Sequence, residues 1–169
     1  MPQPRRYAPR NDDLQALVNL ELIAFDKDRF SSRRIKYLLT KARSTVLVLE
    51  KNRKVIGAAY LLWHKTRRIG RIYNIVIAPK QQGKGYGTKL LKRCELECLR
   101  RKCRYISLEV RVDNKSAIAF YQKHGFEITG KLPDYYEDGS AGWKMRKALV
   151  GKSFKNEERK QYVRKHIHK

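Results

Sequence analysis

The chain has 169 residues, 41% of them hydrophobic, and carries 40 Lys and Arg against 16 Asp and Glu, a formal net charge of +24. This length suits one domain with a hydrophobic core and excludes two of ordinary size. The chain contains no run of about 18 apolar residues, the length that a membrane-spanning helix needs. So basic a surface attracts phosphate-rich partners and repels polycations.

The cysteine count and the amino-terminal sequence both indicate the cellular compartment of the protein. Three cysteines form an odd, sparse set, which suits a reducing compartment better than a disulfide framework, and no secretory apolar segment follows Met1. Cys94 and Cys98, four apart in a predicted helix with only Cys103 nearby, are expected to pack as small apolar side chains. We therefore expect a soluble, cytoplasmic protein with no metal site and no membrane partner, and the oligomeric state stays open.

Apolar patterning and capping residues predict the first elements. A short strand near 6–8 precedes two helices, one capped by Asn11 and the other by Ser31 or Ser32, which would cover one side of a sheet. The remaining elements are predicted in this order: a hairpin of strands 45–50 and 55–63, a strand at 69–77, a helix after a glycine-rich loop, a strand at 105–110, a helix at 115–124, and a closing hairpin of 126–131 and 143–149.

The strand–helix–strand order in the middle of the chain predicts one parallel pair of strands. Beyond residue 150 the apolar pattern thins, and residues 151–169 hold seven Lys or Arg against two Glu. We interpret residues 1–150 as one domain and residues 151–169 as a basic carboxyl-terminal extension.

A glycine-rich loop follows the strand that ends in Ile75-Val76-Ile77. Pro79 stops that strand, three alternating glycines occupy positions 83–87, and helix-forming residues follow. Backbone N–H groups of such a loop and of a helix's first turn bind anions, and a pyrophosphate is the natural ligand. The spacing fits neither common phosphate-loop motif, so a plain glycine-rich turn is the alternative.

Four stretches, in this order along the chain, together resemble the GNAT superfamily of N-acetyltransferases over roughly residues 5–149. They are Asn74–Pro79, Gln82–Gly87, Leu108–Arg111 and Asn114–Phe126. Within the superfamily the chain resembles the ribosomal-protein alanine N-acetyltransferases. The resemblance implies an α/β fold with a mixed α+β sheet: mostly antiparallel, with one splayed parallel pair and about four flanking helices.

The resemblance also implies transfer of the acetyl group of acetyl-CoA to a primary amine, without a metal or a covalent enzyme intermediate. Backbone groups at Ile75 and Ile77 would hold the thioester and pantetheine arm, and loop N–H groups the pyrophosphate. Lys84 is equally interpretable as a solvated loop lysine, and Asn114 as a simple helix cap. The implied cofactor contacts are Ile75, Val76, Ile77, Gln82, Gly83, Lys84, Gly85, Tyr86, Gly87, Thr88 and Asn114.

Two residues are candidates for acid–base chemistry. Glu109 lies in an apolar strand, where a carboxylate needs either a function or a partner, and the resemblance favours a general base over a salt bridge with one of the many arginines. Tyr121 lies two helical turns after Asn114. The resemblance assigns it as the general acid for the departing thiolate, and the alternative is a core tyrosine next to Phe120.

The acceptor amine must be neutral to attack. An α-amine, with a pKa of about 7.7 to 8.0, exposes a larger neutral fraction than a lysine near 10.4, so a protein amino terminus is the preferred acceptor. Phe25, Tyr135 and Tyr136 are expected as aromatic walls around it, unless they only pack a surface hairpin.

The identity of the acceptor leaves three hypotheses. The first is a protein N-terminal acetyltransferase, with a ribosomal protein as one candidate acceptor and with association to the ribosome or RNA through its basic surface. The second is acetylation of a small-molecule amine. The third, from another class, is a basic ribosome- or RNA-binding module that keeps the fold without turnover.

Overall fold

A seven-stranded mixed sheet, in the order β1-β2-β3-β4-β5-β7-β6, forms the centre of the chain. The computed structural model describes residues 2–7 and 13–149. The strands are β1 (Arg5–Arg6), β2 (Ser44–Lys51), β3 (Lys54–Trp63), β4 (Ile69–Ile77), β5 (Tyr105–Arg111), β6 (Glu127–Leu132) and β7 (Gly142–Ala148). The helices are α1 (Asp13–Ala24), α2 (Ser32–Thr40), α3 (Tyr86–Arg100) and α4 (Lys115–Lys123), with a short 3₁₀ turn at Pro79–Gln81.

Helices cover both faces of this sheet and bury two apolar clusters. On one face α1 and α2 pack on β2, β3 and β4, with Leu17 and Ile35 fully buried. On the other face α3 buries the stripe that includes Leu90, Leu91 and Cys94. The expectation that the first two helices cover one side of the sheet is therefore confirmed.

Strand pairing agrees with the expected topology. The neighbours β1 to β4 pair antiparallel, β4 and β5 pair parallel, and β7 lies between β5 and β6, antiparallel to both. The parallel pairing runs from Ile69–Tyr105 to Ile72–Leu108 and then stops. Beyond that point β4 and β5 separate, which leaves a fork between two strands in the middle of the sheet.

Local signals in the sequence predicted most of these elements. Ser31 caps α2, since its hydroxyl accepts a hydrogen bond from the Arg34 backbone N–H at 3.2 Å. The predicted cap Asn11 and the predicted extension 151–169 lie outside the described residues. Among residues 2–7 and 13–149 no helix is both long and apolar enough to span a bilayer.

Candidate functional site

The fork between β4 and β5 exposes one backbone edge of β4. The Ala78 N–H donates to the Ile56 carbonyl of β3 at 2.9 Å, and backbone groups in a strand alternate between its two edges. Val76 therefore faces β3, while the backbone groups of Ile75 and Ile77 face the gap where β5 has turned away. These are the two positions expected to hold an extended ligand through the main chain.

The glycine-rich loop lies directly beyond that edge. Gly83 and Gly85 have φ of +74° and +80°, a left-handed conformation that favours glycine, and a Cβ at either position would meet no atom within 4 Å. Gly85 is the N-cap of α3, and no side chain of the described residues caps this helix end. The first-turn N–H groups of α3, at the positive end of the helix dipole, are thus available to an anion.

Side chains around the loop hold its shape. Gln82 Nε2 donates to the Ile77 carbonyl at 3.2 Å, and Lys84 Nζ donates to the Lys80 carbonyl at 3.0 Å. The Lys84 ammonium is therefore hydrogen-bonded to its own loop, and a contact with a phosphate of the cofactor stays a prediction. Tyr86 is buried and anchors the start of α3.

Thr88 and His124 connect α3 to α4, a contact that the sequence did not reveal. His124 Nδ1 lies 2.7 Å from the Phe120 carbonyl, which can only accept, so Nδ1 is the donor there. In the neutral ring Nε2 then accepts from the Thr88 hydroxyl at 3.2 Å. This pair fixes the first turn of α3, which follows the anion loop.

Glu109 is the first residue of β5 beyond the last parallel pair, so it lies at the fork. Arg71 Nε donates to its Oε2 at 2.7 Å, and 13% of the Glu109 side chain is exposed. The salt bridge that the sequence allowed is present. Among the described residues Oε1 has no hydrogen-bond partner, so one carboxylate oxygen remains free, and the role of Glu109 as general base stays a prediction.

Tyr121 lies on the inner side of α4. Its ring packs edge-on against Phe120 and Phe126, at centroid distances of 5.2 and 5.5 Å. Burial, reinforced by the nearby Cys94, raises the pKa of the Tyr121 phenol above its ordinary value, so the hydroxyl carries its proton at neutral pH. Tyr121 is thus packed as a core tyrosine, and its proton-donor role stays a prediction.

Asn114 caps α4, because its Oδ1 accepts from the Ala117 backbone N–H at 3.2 Å. The capping role is confirmed, and a contact with the cofactor stays a prediction. The side chain is exposed on the same end of the sheet as the fork.

The α1–α2 loop and the β6–β7 loop meet beside the fork. Arg111, the last residue of β5, donates through Nε to Asp28 of the first loop and through Nη1 to Asp138 of the second, at 3.0 Å for Oδ2. Its guanidinium also lies 4.3 Å from the ring centre of Tyr136. One arginine therefore holds both loops together.

The expected aromatic walls belong to these loops. Tyr135 Oη accepts from Arg71 Nη2 at 2.9 Å, and the residue is 41% exposed. Tyr136 packs edge-on against Tyr135, and burial raises its pKa to about 12. Phe25 packs, partly buried, against the cluster under α1 and α2. Tyr135 is thus linked to Glu109 through Arg71, while Phe25 lies in the opposite loop.

A buried carboxylate that the sequence analysis missed, that of Glu21 in α1, connects the α1–α2 loop to β4. Glu21 is fully buried and accepts from the Phe30 backbone N–H at 3.0 Å and from Asn74 Nδ2 at 3.1 Å. Burial raises its pKa to about 7, because the two hydrogen bonds only partly offset the loss of solvation. Its position four residues after Leu17, on the buried stripe of α1, was the available signal.

The three cysteines are free and buried. Cys94 and Cys98 belong to the core cluster under α3, so their predicted role as small apolar side chains is confirmed. Within the part of the chain that the structure describes, no three His, Cys, Asp or Glu side chains come together as a metal site would require.

Comparison with known proteins decides the family. The model of the acetyltransferase (GNAT) family matches residues 11–126, more than half of the chain. The chain belongs to the GNAT acetyltransferase family. This enzyme is 34% identical over 128 residues to an uncharacterized N-acetyltransferase of Methanocaldococcus jannaschii, covering 75% of this chain and 80% of that protein.

Two further similarities extend the comparison. The acetyltransferase is 29% identical over 129 residues to a Bacillus subtilis protein provisionally named as a ribosomal protein bS18-alanine N-acetyltransferase, covering 76% of this chain and 84% of that one. The crystal structure of the ribosomal-protein-S18-alanine N-acetyltransferase from Escherichia coli superimposes with a TM-score of 0.75 at 24% identity, covering 90% of this chain and 99% of that one. The expected GNAT fold is confirmed.

Proposed function

We propose that this acetyltransferase transfers the acetyl group of acetyl-CoA to the α-amine of a protein amino terminus in the cytoplasm. The observation that carries the proposal is the position of Glu109. Glu109 lies at the fork beside the open backbone edge of β4, and Arg71 joins its carboxylate to Tyr135 of the β6–β7 loop. The proposed base Glu109, the backbone edge of β4 proposed to bind the cofactor, and Tyr135, proposed to contact the acceptor, are therefore adjacent.

The described residues fit the cofactor. The N–H groups from Gly83 to Thr88 would hold its pyrophosphate, because they combine left-handed glycines with an uncapped helix start. The backbone of Ile75 and Ile77 would hold the extended pantetheine arm along the open edge. Asn114, at the exposed start of α4, would contact the cofactor from the other side of the fork.

Acetyl-CoA supplies a thioester carbon that the amine nitrogen attacks, so that a C–N bond forms and the C–S bond breaks. Glu109 Oε1 accepts the proton that the attacking nitrogen releases, directly or through one water. Tyr121, protonated at neutral pH, donates a hydrogen bond from its phenol to the departing sulfur. Because a thiol pKa of about 8.5 is below that of the phenol, the proton stays mainly on Tyr121, which stabilises the departing thiolate by a strong hydrogen bond until the thiolate takes a proton from solvent.

The charge of the β6–β7 loop favours a positively charged acceptor. Residues 133–141 contain Asp134, Glu137 and Asp138 and no Lys or Arg, in a chain with a net charge of +24. Asp138 is paired with Arg111, whereas Asp134 and Glu137 are exposed and form no salt bridge with a described residue. An α-ammonium at the head of a basic chain, such as a ribosomal protein, would be attracted to this loop.

Although the surface as a whole repels polycations, this acidic loop is a local exception, so a small-molecule amine is the second candidate. The test is an acetyl-transfer screen with purified enzyme, acetyl-CoA and peptides whose first residue varies, alongside N-terminally blocked lysine peptides and polyamines. We expect turnover on free α-amines, higher with basic residues at positions 2 to 6, and little on blocked peptides. Turnover confined to polyamines would overturn the acceptor, and absence of both acetyl-CoA binding and turnover would overturn the enzyme.

A further inference from the structure

Three segments meet at the end of the sheet opposite the fork. They are residues 41–43 after α2, residues 64–68 between β3 and β4, and residues 101–104 after α3. Backbone hydrogen bonds join them: the Trp63 N–H donates to the Arg43 carbonyl at 2.9 Å, and the Arg104 N–H to the Arg68 carbonyl at 2.8 Å. The Arg101 guanidinium lies 4.3 Å from the ring centre of Trp63. We call this continuous surface the basic pole.

The basic pole carries a dense, unneutralised positive charge. Its three segments contain no Asp or Glu, every one of its Lys and Arg side chains is exposed, and none forms a salt bridge with a described residue. Glu95 and Glu97 of α3, the helix that ends at the pole, are buried and already paired. The cations of the pole are Lys41, Arg43, Lys65, Arg67, Arg68, Arg101, Lys102 and Arg104.

The helix dipole explains only part of this positive charge. Cations are favoured at the carboxyl ends of α2 and α3 by the helix dipole, which would explain Lys41 and Lys102. The β3–β4 connection has no such need, yet it reads His64-Lys65-Thr66-Arg67-Arg68. That turn is ordered, because His64 Nδ1 accepts from the backbone N–H of Thr66 at 3.2 Å and of Arg67 at 3.0 Å.

The pole is separate from the acetyl-transfer site. Along β4, three residues or about 10 Å separate Ile69 at the pole from Ile72, where the fork begins, and eight residues or about 26 Å separate it from Ile77 before the glycine loop, at about 3.3 Å each. The described chain also ends here, since the Leu149 N–H donates to the Arg104 carbonyl at 2.8 Å.

We propose that the basic pole binds RNA, independently of acetyl transfer at the fork. Unpaired, mostly arginine side chains on one surface suit a phosphate backbone, and guanidinium planes also stack on unpaired bases. Within residues 2–7 and 13–149, no helix projects from the pole to enter the major groove of DNA, since α2 and α3 only end there. The pole's three segments contain no exposed large apolar side chain of the kind that inserts into a membrane.

The test compares two full-length variants with equal charge. The pole variant replaces Lys65, Arg67, Arg68 and Arg104 with Gln. The control variant also introduces four Gln residues, in place of Lys51, Arg53, Lys54 and Lys92, which are exposed elsewhere on the molecule. Fluorescence anisotropy with a labelled single-stranded RNA of 30 nucleotides gives affinity against salt. We expect the pole variant to lose about 3 from the slope of log K against log salt, at about 0.7 per phosphate, and the control to lose less than 1.

Three results would overturn the proposal. They are an unchanged slope in the pole variant, an equal loss in both variants, which would indicate net charge alone, and tighter binding to anionic lipid vesicles or duplex DNA than to RNA. Acetyl transfer to a short peptide serves as the folding control in both variants. Because the RNA measurement needs no acetyl-CoA, its failure is distinguishable from failure of the proposed enzyme activity.

Discussion

Arg71 and Glu109 are joined at the fork by a hydrogen bond of 2.7 Å from Nε to Oε2, although 38 residues separate them in the chain. The same guanidinium donates through Nη2 to Tyr135 of the β6–β7 loop. Arg71 thus sets the direction of the carboxylate and attaches an acceptor wall to it. Since Arg71 donates only to Oε2, it orients the Glu109 carboxylate and leaves Oε1 available to accept a proton.

The first prediction concerns Glu109→Gln. An amide of the same shape keeps the side chain at the fork but cannot take a proton, so kcat at neutral pH should fall by about 100-fold or more. Acetyl-CoA affinity should be nearly unchanged, because the glycine loop is not touched. Steady-state kinetics and titration calorimetry measure the two quantities, and unchanged turnover would remove Glu109 from the mechanism.

Gly85→Val tests the anion site. Gly85 has φ of +80° and caps α3, so a β-branched residue there distorts the loop and misdirects the N–H groups. We expect acetyl-CoA binding to be lost in titration calorimetry. Gly130→Val is the matched control, because a Cβ also meets nothing within 4 Å there but Gly130 is not among the glycines with positive φ. Normal affinity in a folded Gly85→Val protein would contradict the cradle.

Tyr121→Phe and Tyr60→Phe are expected to differ in their effects on kcat: the first should lower it and the second should not. Tyr121→Phe keeps the aromatic packing but removes the proton donor, so kcat should fall by about 100-fold with little change in KM. Tyr60 Oη is buried without a hydrogen-bond partner in the described residues. Its removal should leave kcat unchanged and raise the free energy of unfolding by about 1 kcal/mol, measured by urea denaturation. Equal kcat values for the two variants would exclude Tyr121 as the acid.

The sequence predicted what local patterns determine and missed what tertiary contacts determine. β4 was predicted at its observed bounds because an apolar run ends at a proline and a glycine loop, and Ser31 was recognised from capping chemistry alone. The partners of Glu109, Glu21 and Arg111 could not be chosen, because Arg71, Asn74 and Asp28 lie 38, 53 and 83 residues away. Among many basic residues, only the folded sheet selects the partner.

Glu21 predicts a pH dependence of stability. Burial raises its pKa in the folded chain to about 7, whereas the unfolded chain has a value near 4.3. Between these values the folded state binds more protons than the unfolded state, so this group's contribution to stability is fully present below about pH 4.3 and is lost as the pH rises through about 7. At about 1.4 kcal/mol per pH unit the loss is of the order of 4 kcal/mol.

Glu21→Gln should remove that dependence. The amide oxygen can still accept from the Phe30 N–H, and its NH₂ group can donate to Asn74 once that amide turns over. Urea denaturation from pH 4.5 to 8 should show the variant gaining stability relative to the unmodified protein as the pH rises, with most of the change below pH 7. Glu137→Gln makes the same chemical change at an exposed position and serves as the control. A difference between Glu21→Gln and the unmodified protein that stays constant across this range would mean that Glu21 is ionised in the folded chain throughout, and that α1 and β4 are held together by a charged rather than a neutral carboxyl.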